Sequence, residues 1–580
     1  MSVRRFVVTA FMRSSREADP MNRVTTNRAT APADRRWSAR AERLLVWVGE
    51  RLNPILVKEA RQSLKSRQFV LTFGLLLLCG WVWSFMGLAI MGPEASYTGK
   101  GPEMLMGYVA ILAFPLLVIV PFWAFRSLAV EQEDRTYELL SITALNPRQI
   151  VAGKLSSAGM QMLIYLSAIS PCLAFTYMLR GVAFPNILML LFYLSLGSLG
   201  LSLVGLLVGT LTSEKHWQVV LSVLSIVGLL WAFGIACSLC SWVIWGMDLP
   251  VATSEFWQWN AGLVTAYVTY FALVFYAAVA QITFASDNRS TRLRLIMIVQ
   301  HVCWVGWMTW ALTHEPESEV LLFLLTFLGL HWYVMGGLMT GESPDLSPRV
   351  KRRLPQSFLG RVFLTWLNPG PGTGYLLAVC GALAGLVLVG CMVFVREVYG
   401  MGSLVRSWSP GDSQRLLAFG VLVLAYLTAY LGIGLLLIRL LHRFGQVVMF
   451  LGVLIQVLLV VAGCAVPAVL QTMSPSYYYS GYSLLHVTNP FWTLMHVGAD
   501  SNLPIETSLL LVVVPAAAMG IFLLNLPGVV REVRHVRMAK PQRVAAEEAE
   551  LAAIKKPPQP VRTSPWDVVE PGGGGEGVTE

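Results

Sequence analysis

Long apolar runs alternate with short polar blocks along the 580-residue chain. Each run is roughly 20 residues, the length of helix that crosses a bilayer. They predict twelve transmembrane helices near residues 69–91, 104–125, 155–179, 187–212, 218–246, 260–284, 295–312, 320–340, 375–395, 416–436, 447–470 and 507–526. The fold class expected is all-α, a polytopic transmembrane helical bundle with about 12 spans.

Composition agrees with the pattern and removes one class of function. Hydrophobic residues make up 55% of the chain and charged residues 13%, against about 25% charged in a soluble chain, so a soluble globular enzyme is excluded. The net charge of +10 acquires meaning from its placement. With the N-terminus cytoplasmic, 38 of the 43 Lys and Arg fall on the inner side; the inner loops alone hold 15, the outer loops 5. This asymmetry predicts both termini in the cytoplasm and an inner-membrane location. The surplus reports orientation and gives no support to a nucleic-acid partner. HEPESE (314–319) and the segment 471–506, neither with a Lys or Arg, read as external.

Absences narrow the chemistry. On these boundaries no span has a formal charge near its centre, which argues against an ion-coupled carrier. All eight Cys fall inside apolar runs, where a thiol acts as a small hydrophobe, so neither a disulfide framework nor a zinc site is implied. His301 and His331 lack the second pair at matching depth that a membrane haem needs, and are expected to bond to neighbouring helices. Cys237 and Cys240 form a CxxC without a nearby His or charge. Gly197, Gly200, Gly205 and Gly209, and Gly381, Gly385 and Gly390, recur at helix-packing spacing and predict close helix approach. No paired carboxylates, Ser-His-Asp set or zinc motif is visible, and the chain is not read as an enzyme.

Outside the spans, residues 1–41 form a basic tail expected to be disordered, with Met21 an alternative start to Met1. Residues 527–580 read as a mostly disordered cytoplasmic tail in which REVRHVRMAK and VAAEEAELAAIKK are short surface helices. The region 42–68 holds an amphipathic segment, NPILVKEARQSLKSRQF. Asn53 caps its helix and Pro54 suits the first position. Leu56, Ala60 and Leu64 line one face, with Lys58, Glu59, Arg61, Gln62 and Lys65 on the others, as in a helix lying on the inner leaflet. A second basic lead-in at 347–370 also ends near an Asn-Pro and hints that 285–526 is a second unit.

The most informative stretch is EQEDRTYELLSITALNPRQIVAGK (131–154), an inner loop between spans two and three. Glu131, Arg135 and Glu138 fall at helical spacing, Leu139, Leu140 and Ile142 form an apolar patch, and Pro147 is expected to close that helix. The stretch resembles the first cytoplasmic loop of ABC transporter permeases of the type-2 exporter class. Glu131 and Glu133 match the family's acidic pair, Thr136 and Glu138 its Thr and Glu, and Leu139 and Leu140 its leucines. Thr143, Leu145, Ile150, Gly153 and Lys154 follow in register. Arg135, Tyr137 and Ala144 depart, standing where the family has Gly, Leu and Pro.

The resemblance, best over 53–284, implies a six-span permease core at 69–284 whose loop 131–154 forms a coupling helix that docks on a separate cytoplasmic ABC ATPase subunit. Glu131, Glu133, Thr136, Glu138, Leu139 and Leu140 are then the coupling candidates, and Lys58, Glu59 and Arg61 belong to a connecting helix. YYYSGYSLLHVTNPFWTLMHVGA (477–499) is similar to the family's outer Asn-Pro-Phe segment, although aromatic anchoring at the interface explains the same residues. The chain has no GxxxxGK[ST] loop. No cofactor is therefore expected in it, and ATP and magnesium are expected on the partner subunit. The family's need for two cores implies a homodimer or a second permease, within membrane lipid. Two other readings of the residues are a membrane scaffold or assembly factor, and an ATP-independent carrier.

Overall fold

A computed structural model describes residues 53–91, 99–133, 146–212, 214–246, 249–284, 287–314, 318–342, 364–398, 410–441, 449–473, 482–499 and 505–536, with a few isolated positions besides. Among the described residues there are twelve helices long and apolar enough to cross a membrane and no strand, so the chain is a multi-pass α-helical membrane protein. A short helix α1 (Pro54–Leu64) precedes α2 (Arg67–Met91). Next come α3 (Gly101–Glu133), α4 (Pro147–Met178), α5 (Phe184–Gly209), α6 (Lys215–Gly246) and α7 (Ser254–Ile282). The second half comprises α8 (Ser290–His314), α9 (Ser318–Thr340), α10 (Pro371–Val398), α11 (Pro410–Leu441), α12 (Met449–Thr472), the short α13 (Pro490–Ala499) and α14 (Ile505–Val536).

Two apolar cores organise these helices. The first is built around α3, which packs on α4, α5 and α6, and the second around α9, α10 and α11. They meet where α7 packs on α8: Leu273 of α7 belongs to the second core, Ala278 and Val279 to the first.

The helix α3 runs for 33 residues, about 50 Å at 1.5 Å per residue and so longer than the hydrocarbon layer. It passes two prolines by loosening into a π-turn over Pro115–Ile119, in which the Val120 N–H donates to Pro115 O. Pro121 has no N–H to return to that turn, and Ser198 Oγ of α5 donates instead to Leu116 O at 2.7 Å. Such a substitution is how a broken ladder survives in a membrane. A Cβ on Gly205 would lie 2.7 Å from Pro121 O, and one on Gly209 2.8 Å from Phe125 O. Gly205 and Gly209 are therefore where the α5 backbone touches that of α3, whereas Gly200 faces the Tyr267 ring of α7.

Several expectations need correction. Pro147 is the first residue of α4, capped by Asn146 with Gln149 returning to the Asn146 N–H, and the helix expected before it falls over 134–145, outside the described residues. The amphipathic segment turns at Lys65 and Ser66, and its buried anchors are Ile55 and Ala60, with Leu56 and Leu64 half-buried. The last span does not stop at 526. α14 continues through Pro527 and REVRHV to Val536, because Glu532 is held against α10, accepting from Gly372 N at 2.8 Å and Thr373 N at 3.3 Å. The segment 471–506 contains α13, whose N-terminus is capped by Asn489 Oδ1 accepting from Trp492 N at 3.1 Å. Residues 1–52, Tyr477 to Tyr479, most of 347–363 and most of the tail beyond 536 lie outside the described residues.

Charged side chains within the twelve helices gather toward their ends. Longer helices than the hydropathy suggested nevertheless draw some of them into the bundle. Lys154, Arg294 and Arg415 are buried.

Candidate functional site

The site is built where α3 ends, α4 begins and α1 crosses them. Asn53 prepares the crossing with one amide. Its Oδ1 accepts from Ile55 N at 3.1 Å and caps α1, and its Nδ2 donates to Gln149 O in the first turn of α4. An eleven-residue helix is too short to persist alone in water, so α1 depends on what it docks against. Gly153 supplies the dock: a Cβ there would meet Ile55 Cβ at 2.8 Å and Ile55 Cγ2 at 2.9 Å. The absence of a side chain lets Ile55 seat on the α4 backbone.

The next residue, Lys154, carries the chemistry. Its side chain is 2% exposed. Nζ lies 3.0 Å from Glu59 Oε1 of α1, 3.0 Å from Glu131 Oε1 of α3 and 3.0 Å from Ser127 O of α3. An ammonium has three protons, and each here has an acceptor. One lysine thus ties three helices at a single point, and two carboxylates at 16% and 15% exposure share it. A buried pair of this kind is weak evidence for net stability but strongly destabilising to break from one side. The cluster faces a cavity of about 630 Å³ that Lys58, Arg126, Gln161 and Tyr165 also line.

Of the residues singled out from the sequence, Glu59 and Glu131 come together here through Lys154. Glu59 therefore does not belong to a solvated face of α1. Lys58 and Arg61 are exposed on α1. Glu133, the last residue of α3, lies 3.5 Å from the exposed Lys215 Nζ at the start of α6, a surface pair of small energetic weight. Thr136, Glu138, Leu139 and Leu140 lie outside the described residues, as do Arg135, Thr143 and Leu145. What is described is the pair of helix ends from which their loop departs, and the Lys154 cluster pins those ends to each other.

A second buried cluster escaped sequence reasoning. Arg294 of α8, fully buried, donates to Glu342 Oε2 at 2.7 Å, to Trp366 O at 2.8 Å, to Thr373 Oγ1 at 3.0 Å and to Gly370 O at 3.0 Å. Gly370 N and Ser290 Oγ also donate to Glu342. This arrangement holds the entry of α10 in place and is structural. Its signal was faint, an Arg one turn into an apolar run at 290–314.

His301 and His331 are held by neighbouring helices: Trp332 Nε1 donates to His301 Nδ1 at 3.3 Å, and His331 Nδ1 shares a hydrogen bond with Tyr270 Oη at 2.7 Å. Among the described residues no group of His, Cys, Asp and Glu could hold a metal ion, and all eight cysteines are free thiols. Comparison with family models, with curated proteins and with solved structures returned no match to this chain.

Proposed function

We propose that the chain is the membrane-spanning permease subunit of an ATP-driven ABC transporter of the exporter class. Both termini lie in the cytoplasm, and a separate ATPase subunit carrying ATP and magnesium docks on loop 131–154. The observation that carries the reading is the Lys154 cluster. A force applied to a loop is lost if its two ends move independently. Here Lys154 bonds to Glu131 on one end and sits itself on the other, so that load entering between them acts on α3 and α4 together and, through Glu59, on α1. Glu131, Glu133, Thr136, Glu138, Leu139 and Leu140 form the docking side of that device, and Lys58, Glu59 and Arg61 the α1 side. The transport path is completed by a second copy or a second permease.

The test is Glu138→Arg in the full chain. Reversing that charge is expected to uncouple ATP hydrolysis from transport with membrane insertion unchanged. Normal association with the ATPase subunit and normal transport in the variant refute the reading, and favour a scaffold that recruits cytoplasmic proteins without transporting.

A further inference from the structure

Between α7, α8 and α9, remote from the Lys154 cluster, lies a crevice of about 460 Å³, within the size range of small-molecule sites. Its walls are aromatic, including Trp259, Trp307, Trp310, Phe323 and Phe327. It opens toward the lipid side: Phe323 is 68% exposed and Leu263, on the opposite wall, 56%.

Its floor is polar. Gln300 stands ten residues into α8 from Ser290, about 15 Å at 1.5 Å per residue and so deep in the hydrocarbon layer. Its side chain is more than nine-tenths buried, yet among the described residues neither its Oε1 nor its Nε2 has a partner. His331, equally buried, spends Nδ1 on Tyr270 and leaves Nε2 without one. Whichever tautomer the Tyr270 hydroxyl fixes, that Nε2 offers one hydrogen-bonding function. Three unpaired polar atoms at this depth carry a heavy desolvation cost unless something enters to meet them. Polar residues that join membrane helices do so by bonding across them, and Gln300 makes no such bond.

The walls define the occupant by exclusion as well. Among the described residues no Asp, Glu, Lys or Arg lines the crevice, so a carboxylate, an ammonium or a phosphate would find no countercharge among them. We propose that the crevice binds an uncharged amphiphile drawn from the bilayer, its apolar body lying along the tryptophan wall and one hydroxyl or carbonyl group reaching Gln300 and His331. This proposal is independent of the transport reading and concerns a different part of the chain.

Photolabelling of the full chain in nanodiscs tests it, with three diazirine-bearing probes of matched chain length: hexadecanol, palmitic acid and hexadecane. The alcohol is expected to label peptides of α7, α8 and α9 saturably, displaced by unlabelled hexadecanol and about tenfold more efficiently than either of the others, the worth of one hydrogen bond. Gln300→Leu should lower alcohol labelling about tenfold without lowering the thermal midpoint, because no internal partner is lost. Ala266→Phe, which fills the crevice from α7, should abolish labelling there in a protein that remains monodisperse. Labelling by the alcohol that is non-saturable or no stronger than by hexadecane, or that is unchanged in Gln300→Leu, overturns the proposal. So does a fall in the midpoint of Gln300→Leu, which would mean that the amide is bonded inside the protein.

Discussion

Replacing Lys154 by Met removes a buried cation that two half-buried carboxylates share. Glu59 Oε1 and Glu131 Oε1 each lie 3.0 Å from Nζ, and both side chains are largely withdrawn from solvent. Removing one member of such a cluster costs about 3–5 kcal/mol, and the cost falls on the docking of α1, the only one of the three helices that does not span the membrane. Since α1 is too short to remain helical when released, undocking exposes its amides, and hydrogen–deuterium exchange reads the opening directly. At 1.4 kcal/mol per factor of ten, exchange over 57–64 should accelerate by roughly two to three and a half powers of ten, while exchange in α3 and α4 changes far less. A triple variant, Glu59→Gln, Glu131→Gln and Lys154→Met, has no stranded charge and should recover most of the protection. If Lys154→Met exchanges within about threefold of the parent, or the triple variant exchanges as fast as the single one, then the cluster does not hold α1 and the argument from buried charge is wrong.

Two further outcomes follow from the packing. Gly205→Val should lower the detergent-solubilised thermal midpoint, since its side chain must displace the α3 backbone at Pro121 O, an overpacking cost of about 1–3 kcal/mol; Gly228→Val, at a position with open space around it, should not. Arg294→Met should be more damaging than Glu342→Gln in the same assay. The first removes the countercharge of Glu342 and leaves Trp366 O short of a donor, whereas the second leaves Arg294 three acceptors; equal effects would contradict this ordering.

The twelve spans were legible because a lipid environment demands a long apolar run and tolerates charge only near its ends. The α1 cap was legible because Asn53 and Pro54 act on their own neighbours. Glu59 was not: a helical wheel places it among polar residues, and its partner lies 95 positions away on α4. Lys154 fell one residue before the expected start of its span. Hydropathy counts a lysine as a boundary, whether or not tertiary carboxylates let it be buried. Pro147 was ambiguous in kind, since the same residue that stops one helix is favoured at the first position of the next. The expected end of the last span at 526 fell short because α14 carries on through Pro527 and delivers Glu532 to the entry of α10. The floor of the α7–α9 crevice had no local signature at all, because Gln300 and His331 are ordinary residues of apolar helices until their missing partners are seen.

The proposed docking of a nucleotide-hydrolysing subunit on loop 131–154 is tested by purifying the full chain from its native membrane in mild detergent. An ABC ATPase subunit is expected to co-purify with the parent chain and to be lost from Glu138→Arg; recovery of the intact chain with no nucleotide-binding partner, or with one whose association is indifferent to that substitution, contradicts the proposal.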